Sequence, residues 1–465
     1  MTASALPRRA IVIGGGLAAM LTAQALSTRI EVVVIERDTL PEGPLHRKNL
    51  PQAHHVHHLW AGGAEAIETI LPGTLKALTA AGARRIPLTT GMVALSPQGW
   101  FRRWDESHYT IACHRDLLDW VVRDQVLKAD DGRVTVMQGT EVLGLTGSAE
   151  EVTGVHIRHA DGSEDTLSAT LVVDAGGRGS RTPHWLADLG ARPPATRRVD
   201  SGLVYASVLC QEPPGLPESW PIINIQAAPR SGRPGQTGVI LPIENGRWLV
   251  TLSGTRGGEP TGDLAEFTEF ALGLRHPLIG ELLGKATPLG PVHVTRMTAN
   301  HRHYYERSRL PENLLVVGDA VAAFNPLYGH GMSVAAQSAL TLYRAVRRHG
   351  CDTPGLLRRV QKDIARHVDT AWTFAVGTDV LYDGATEGGP TASERLSARF
   401  VDRLTRTATG SGRMARALTD VMVLQKGPQR LLRPAALVSA ARGPLKPPLT
   451  GPPLSPEERR AIDDA

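Results

Sequence analysis

Cysteine is scarce: Cys113, Cys210 and Cys351 are the only three in 465 residues. Their odd number and wide spacing exclude a disulfide framework or a cysteine metal cluster, and they suit a reducing compartment, so a cytoplasmic location is expected. Aromatic residues make up only 5% of the chain and the formal charge is a modest +5. Basic residues outnumber acidic ones from Leu340 onward, but without the dense basic stripe and stacking rings that nucleic acid requires. That excess reads as a solvated helical surface. No apolar run reaches the roughly 18 residues of a membrane span, and the first nine residues carry no signal-peptide core, so no integral membrane segment is expected. There is no repeat at solenoid spacing.

What is present is a length beyond the growth limit of one hydrophobic core, which calls for two or more packed units. The chain is organised around residues 10–36. Ala10-Ile11-Val12-Ile13 has the makeup of a buried strand and runs into Gly14-Gly15-Gly16-Leu17-Ala18-Ala19, a G-x-G-x-x-A turn that opens a helix. Gly14 and Gly16 let backbone N–H groups approach a pyrophosphate, and Ala19 is small enough for helix-to-strand packing. A second apolar strand, Glu31 to Ile35, ends at Glu36, about 20 residues beyond the turn, where a carboxylate receives ribose hydroxyls. The unit predicts an adenine dinucleotide without separating NAD from FAD.

Further along, a polar loop leads from Arg37 to Arg47 and then to His54, His55, His57 and His58. No carboxylate or cysteine supports these histidines as metal ligands, so no metal is expected, and Arg47 is placed to meet phosphate charge. A hairpin around Pro97-Gln98 carries Trp100. Tyr109 to Cys113 reads as a strand and Arg115 to Leu127 as a helix, with Arg115 at its start. Strands from Arg133 to Val173 follow, with Asp161-Gly162 as a turn, and they end in a second glycine-rich loop, Asp174 to Arg181. Residues 201–289 are β-rich and Pro-rich, with Asn245-Gly246 as a two-residue hairpin signal. One face of that antiparallel sheet needs a cover, expected to be substrate and cofactor. Asn313 to Val317 is a further buried strand leading to Gly318-Asp319, then Asn325-Pro326-Leu327-Tyr328-Gly329-His330-Gly331-Met332 and a long helix. Asp319 suits ribityl hydroxyls or a helix cap. The remainder is helical, interrupted by a loop at 383–390, before a Pro-rich stretch, Pro444 to Pro456, read as extended.

Taken together, Gly14 to Ala19 with Glu36-Arg37, Arg115, and Gly318-Asp319 with Pro326, Gly329 and Gly331 resemble the single-component FAD-dependent monooxygenases of the p-hydroxybenzoate hydroxylase and squalene epoxidase type. Residues 47–59 and 325–332 look most like bacterial epoxidases of polyene polyketides. The resemblance implies a Rossmann-like α/β FAD-binding domain (1–75, 108–190 and 291–350), interleaved with an antiparallel β substrate domain (76–107 and 191–290). A helical region (351–432) and the tail (433–465) follow. It implies FAD held by Gly14, Gly16, Ala19, Glu36, Arg37, Arg47, Arg115, Asp319, Pro326, Gly329, Gly331 and Met332, with NAD(P)H as reductant. The implied reaction passes oxygen from O2, through a flavin C4a-hydroperoxide, to an apolar polyene-type or polyketide-type small molecule. Trp100, Tyr205, Trp248, Phe324, Tyr328 and Trp372 are candidates for the pocket wall or for ordinary core. No side chain stands out as a catalytic acid or base. Where aromatic hydroxylases of this type carry Asp-Gly, this chain has Gly176-Gly177, which leaves NADPH handling open. It also lacks the Trp-x-Trp-x-Ile-Pro of flavin halogenases. A non-redox cyclase with structural FAD and an alkene reductase remain as alternatives.

Overall fold

The computed structural model describes residues 8–105, 107–129 and 132–464. Strand Arg9–Ile13 is buried almost throughout and hydrogen-bonds to a parallel neighbour on each side, Glu31–Ile35 and Leu171–Asp174. Val134–Met137 extends the sheet beyond the first and Leu314–Val316 beyond the second, both also parallel. Strands covered on both faces carry no polar alternation, which is why these segments read as continuous apolar runs. The register sets Ile13 beside Ile35 and Asp174, and Asp174 beside Val316, so the carboxyl ends finish level. That end of an open α/β sheet is where ligands bind.

Helices Leu17–Ser27, Ala61–Ile70 and Gly331–His349 pack together at the sheet. Small residues set their spacing. A Cβ added at Gly63 would lie 2.6 Å from Ser333, so these two helices meet almost backbone to backbone.

The second large sheet runs, in spatial order, through Thr287–Pro288, Val204–Gln211, Arg247–Gly254, Gln236–Ile243, Ile222–Ile225, Met92–Ser96 and Gly99–Trp100, with His293–Thr295 also paired to Val204–Gln211. The hairpin expected at Asn245-Gly246 is present, but its loop has three residues, Glu244 to Gly246, because Ile243 pairs with Arg247. Glu244 turns inward there, accepting the His114 backbone N–H at 3.0 Å and pairing with Arg247 at 3.2 Å. Asn245 and Gly246 both take φ of +62°, the left-handed turn geometry that asparagine and glycine tolerate.

Alternation along these strands gives the sheet two distinct faces. Ala206, Val208, Cys210, Trp248, Val250 and Leu252 form an outer core covered by helices Leu264–Leu272 and Leu278–Leu283. Tyr205, Ser207, Leu209, Leu249 and Thr251 fall on the other face, toward the nucleotide unit, where Ile86, Ala112 and Val56 pack against it. Trp248 and Trp100, expected as pocket candidates, therefore sit on the outer side: Trp248 is fully buried against Trp220, and Trp100 packs at the sheet edge against His276. Phe324 and Trp372 belong to the main core.

Two small sheets join strands far apart in the chain. Arg84–Pro87 pairs with Tyr109–Ala112 in a small sheet with Leu59–Trp60, while Thr196–Val199 pairs with Asn300–His303 and Asn300–His303 with Ala322–Ala323. Beyond helix Leu356–Asp379, Thr391 and Glu394 cap Ala392–Gly410 reciprocally, and Gly412–Met422 follows. Residues 444–455, most of the stretch expected to be extended, carry no helix or strand. Helices Pro434–Arg442 and Pro456–Asp464 flank an irregular proline-rich link, and Leu449, Leu454, Ala461 and Ile462 pack onto the outer core. Their apolar spacing is short and was masked by the prolines.

Trp248→Ala is expected to destabilise the protein by about 3–5 kcal/mol in chemical denaturation, as for other fully buried large aromatics, because its loss empties the outer core.

Candidate cofactor and substrate site

Backbone builds the first part of the site. One residue past the strands, Gly14 N–H bonds Ile35 O at 2.8 Å, Ala175 N–H bonds Ile13 O at 3.0 Å and Val317 N–H bonds Asp174 O at 2.9 Å. The ladder thus continues until the three glycine-bearing turns diverge. Gly14 takes φ of +94°, and a Cβ there would meet Ala175 O at 2.8 Å. Gly16 differs: its φ of −85° suits any residue, and a Cβ there would meet nothing within 4 Å. The space in front of Gly16, at the N-terminus of helix Leu17–Ser27, is the open cradle that a pyrophosphate needs. Gly318, with φ of +64°, brings the third turn against it, since a Cβ there would lie 2.9 Å from the Ala18 Cβ.

Charged groups frame the cradle. Glu36 is buried, accepts Gly15 N–H at 2.6 Å and Asp38 N–H at 3.0 Å, and pairs with Arg47 at 2.9 Å. Arg47 also donates to Gly15 O at 3.1 Å, while its Nε is buried without a partner. Such an orphaned donor beside the cradle fits a phosphate oxygen. Arg37 is exposed. Arg115 donates through Nε to Asp119 at 2.8 Å. Burial raises the Asp319 pKa against the opposing charges of Arg178 and Arg115, and among the described residues no group donates to its carboxylate. It is free to accept hydroxyl groups. Residues far apart in sequence, Gly14, Gly16, Arg47, Arg115 and Asp319, are thus brought near one another, while Ala19 is fully buried in the core behind the turn.

The turn that follows closes the far end. Gly329 has φ of +64°, and a Cβ there would press on His58 at 3.1 Å. Trp60 Nε1 donates to Tyr328 O at 3.2 Å, and His330 Nε2 lies 2.8 Å from Met422 O. Pro326 opens a short 3-10 turn, Met332 is buried, and Gly331 begins the long helix, whose N-terminal N–H groups suit a developing negative charge.

Several contributors escaped the sequence reading. Arg178 donates to Ala299 O at 2.6 Å and Phe324 O at 3.0 Å, stapling the second glycine loop to the third turn. Asp174, at the start of that loop, is consumed within it: it accepts Gly176 N–H at 2.8 Å, the Thr182 hydroxyl at 2.6 Å and the Ser180 hydroxyl. His55 Nδ1 lies 2.7 Å from Ser207 Oγ, and burial lowers its pKa to about 4. Only its tertiary partners mark that imidazole among its neighbours. His46, His54 and His293 stack at 4.1 and 3.7 Å, and among the described residues no group of three or more histidine, cysteine or acidic side chains could hold a metal.

A parallel sheet with level carboxyl ends, an open glycine cradle and a free acid define an FAD-type dinucleotide fold. Comparison with known proteins carries this further. Residues 108–349, just over half the chain, match the family described as FAD binding domain, and the chain belongs to that family. The Gly14–Ala19 cradle lies outside the matched stretch and rests on the geometry above. Protein Rv3254 of Mycobacterium tuberculosis is 30% identical over 391 residues, covering 81% of each chain. Among solved structures, the flavin-dependent brominase Bmp2 superposes with a TM-score of 0.65 at 14% identity, covering 93% of this chain and 98% of its own. The p-nitrophenol 4-monooxygenase PnpA of Pseudomonas putida DLL-E4 gives 0.63 at 15% identity, covering 91% and 99%. The Diels-Alderase PyrE3 gives 0.57 at 17% identity, covering 90% and 80%. These similarities establish a shared fold.

Gly16→Ala is expected to leave the melting temperature of the cofactor-free protein within about 2 °C and to weaken FAD binding on the order of tenfold or more, measured by fluorescence titration. Gly14→Ala is expected to lower stability by about 1–3 kcal/mol through its positive φ alone.

Proposed function

We propose that this protein is an FAD-dependent monooxygenase that delivers one oxygen atom of O2 to an apolar, electron-rich alkene or ring, epoxidising or hydroxylating it, with NAD(P)H as reductant. FAD, when bound, supplies the two-electron chemistry and the activation of O2. The chain's own contribution is to bind the nucleotide, orient the substrate and keep water out.

One observation supports the reading: the groups packed between the Asn325–Gly331 turn and the inner sheet face are largely apolar side chains and imidazoles that burial keeps uncharged. Met92 joins two apolar clusters there, one with Leu241, Leu249 and Val56, the other with Trp60, Leu88 and Tyr109. Burial lowers the pKa of His55, His58 and His330 to about 4, and that of His57 well below its usual value, so all four imidazoles are neutral at pH 7. Oxygen transfer to an electron-rich double bond asks for no separate base, and such a wall suits a substrate recognised by shape. Polyene and polyketide skeletons answer that description. Glu36, Arg47, Arg115 and Asp319 hold the nucleotide, with Gly329, Gly331 and Met332 at its flavin end and Tyr205 and Tyr328 beside the substrate.

A second reading, a non-redox cyclase with FAD as a fixed wall, is supported by the internal commitment of Asp174, which leaves that loop without an acid for a nicotinamide. PyrE3, described as a Diels-Alderase, shares the fold.

The FAD-loaded protein is expected to bleach in NADPH or NADH under anaerobic conditions, recover its colour in air, and consume O2 when supplied with an apolar polyene. Bleaching with alkene reduction and no O2 uptake supports a reductase instead. Cyclisation by protein that neither reductant bleaches supports the second reading.

A further inference from the structure

Nucleotide binding leaves one buried cluster without a task. Asp379, the last residue of helix Leu356–Asp379, is 2% exposed, and Asn300, Asn325 and Tyr205 around it are no more than 4% exposed. Its Oδ2 accepts the side-chain amides of Asn300 and Asn325, each at 2.7 Å. Asn300 Oδ1 accepts the Asn325 backbone N–H at 2.7 Å. Asn325 Oδ1 accepts the Leu327 N–H at 3.0 Å and the Tyr205 hydroxyl at 2.9 Å.

An ionised carboxylate only accepts hydrogen bonds, so it dictates which end of each amide faces it. With Asn325 Nδ2 held by Asp379, Asn325 Oδ1 must face Tyr205, and the tyrosine hydroxyl is committed as a donor. The same amide starts the turn that runs through Pro326–Tyr328 to Gly331, where a Cβ would lie 3.5 Å from Asp319 Oδ1. One buried charge thus ties the helical region to the cradle and to the inner face of the sheet.

We propose that Asp379 is a positioning residue for the cofactor site, its ionised carboxylate setting the Asn325 amide and with it the turn and the Tyr205 hydroxyl in the geometry that receives FAD. This rests on the FAD reading above. A protonated carboxyl is a weaker acceptor and brings a hydrogen that this closed cluster has to place. Burial raises the Asp379 pKa to about 6, against the lowering effect of the two amides. The titratable groups facing it are Asp200, whose charge raises it further, and Tyr205, Tyr328 and Tyr382, all pushed upward by burial and therefore neutral.

The consequences for stability and for binding have opposite signs. The folded pKa lies above the unfolded one, so protonation favours the fold: this contribution is full below about 4 and is lost as pH rises through about 6. FAD affinity, which needs the ionised form, falls as pH drops below the same midpoint. A carboxyl that merely held the fold together would move the two in the same direction.

The test measures FAD dissociation constant, flavin absorption and the melting temperature of the cofactor-free full chain from about pH 7.5 to about pH 5. In the unaltered protein the dissociation constant is expected to rise by up to about tenfold per pH unit below the midpoint, with a shift in the flavin bands, while the cofactor-free protein loses less melting temperature over this range than Asp379→Asn, the loss they share coming from the buried neutral imidazoles. Asp379→Asn is expected to bind FAD without this pH dependence, and Asp379→Glu to restore it. Asn325→Ala keeps the carboxyl but cuts its arm, and it is expected to flatten the response too, which serves if Asp379→Asn does not fold. A response that survives in Asp379→Asn or Asn325→Ala belongs to another acid, such as Asp319, and overturns the inference, as does a flat profile in the unaltered protein. Unaltered protein that takes up no FAD overturns the FAD reading and this inference with it.

Discussion

The level ending of the parallel strands is the constraint on which the rest depends. Ile13, Ile35, Asp174 and Val316 sit in register, so three separate turns leave the sheet at one height. If one strand slipped by a residue, its side chains would exchange faces and its turn would leave the crevice. Register is secured because both faces of Ala10 to Val12 are fully buried, which leaves the strand no polar side to expose. Glycine then acts in two ways. Gly14 is required by its backbone conformation, and Gly16 by the space it leaves in front of the helix.

Charged pairs are concentrated beside the glycine cradle. There, Glu36 and Arg47 hold each other and Gly15, and Arg115 is braced by Asp119. Such buried pairs contribute little net stability, but they impose geometry, because removing one partner leaves the other charge stranded. Arg302, 2% exposed, follows the same logic away from the site, pairing with Glu306 at 3.0 Å and Asp369 at 2.6 Å. Toward the inner sheet face, burial keeps the imidazoles uncharged.

The two large sheets do not behave as independent units. Asn300–His303 links Thr196–Val199 to Ala322–Ala323, Arg178 staples one glycine loop to the next, and Gln337 Nε2 reaches Leu424 O at 2.6 Å. The carboxyl-terminal helices thereby bear on the turn at the far end of the crevice. They form part of the site's support, and the last helix also closes the outer face of the antiparallel sheet.

Much of this was legible in the residues alone. Apolar runs bounded by glycine, the acid at the end of the second strand and the Gly318-Asp319 turn are local signals, because a central parallel strand, a tight turn and a helix start each impose chemistry on consecutive positions. Those signals identified the fold class. They could not say which face of the sheet Trp248 occupies, since alternation defines two faces without naming the one a helix will cover. Nor could they show that Asp174 spends its oxygens on Ser180 and Thr182, or that Asp379 meets Asn300 and Asn325, since those partners are set by how helices and turns dock. Sequence decided the secondary elements and the nucleotide turn, whose causes lie within a few neighbouring residues. Tertiary structure alone decided which buried polar groups have partners, because burial and hydrogen bonding depend on segments far apart in the chain.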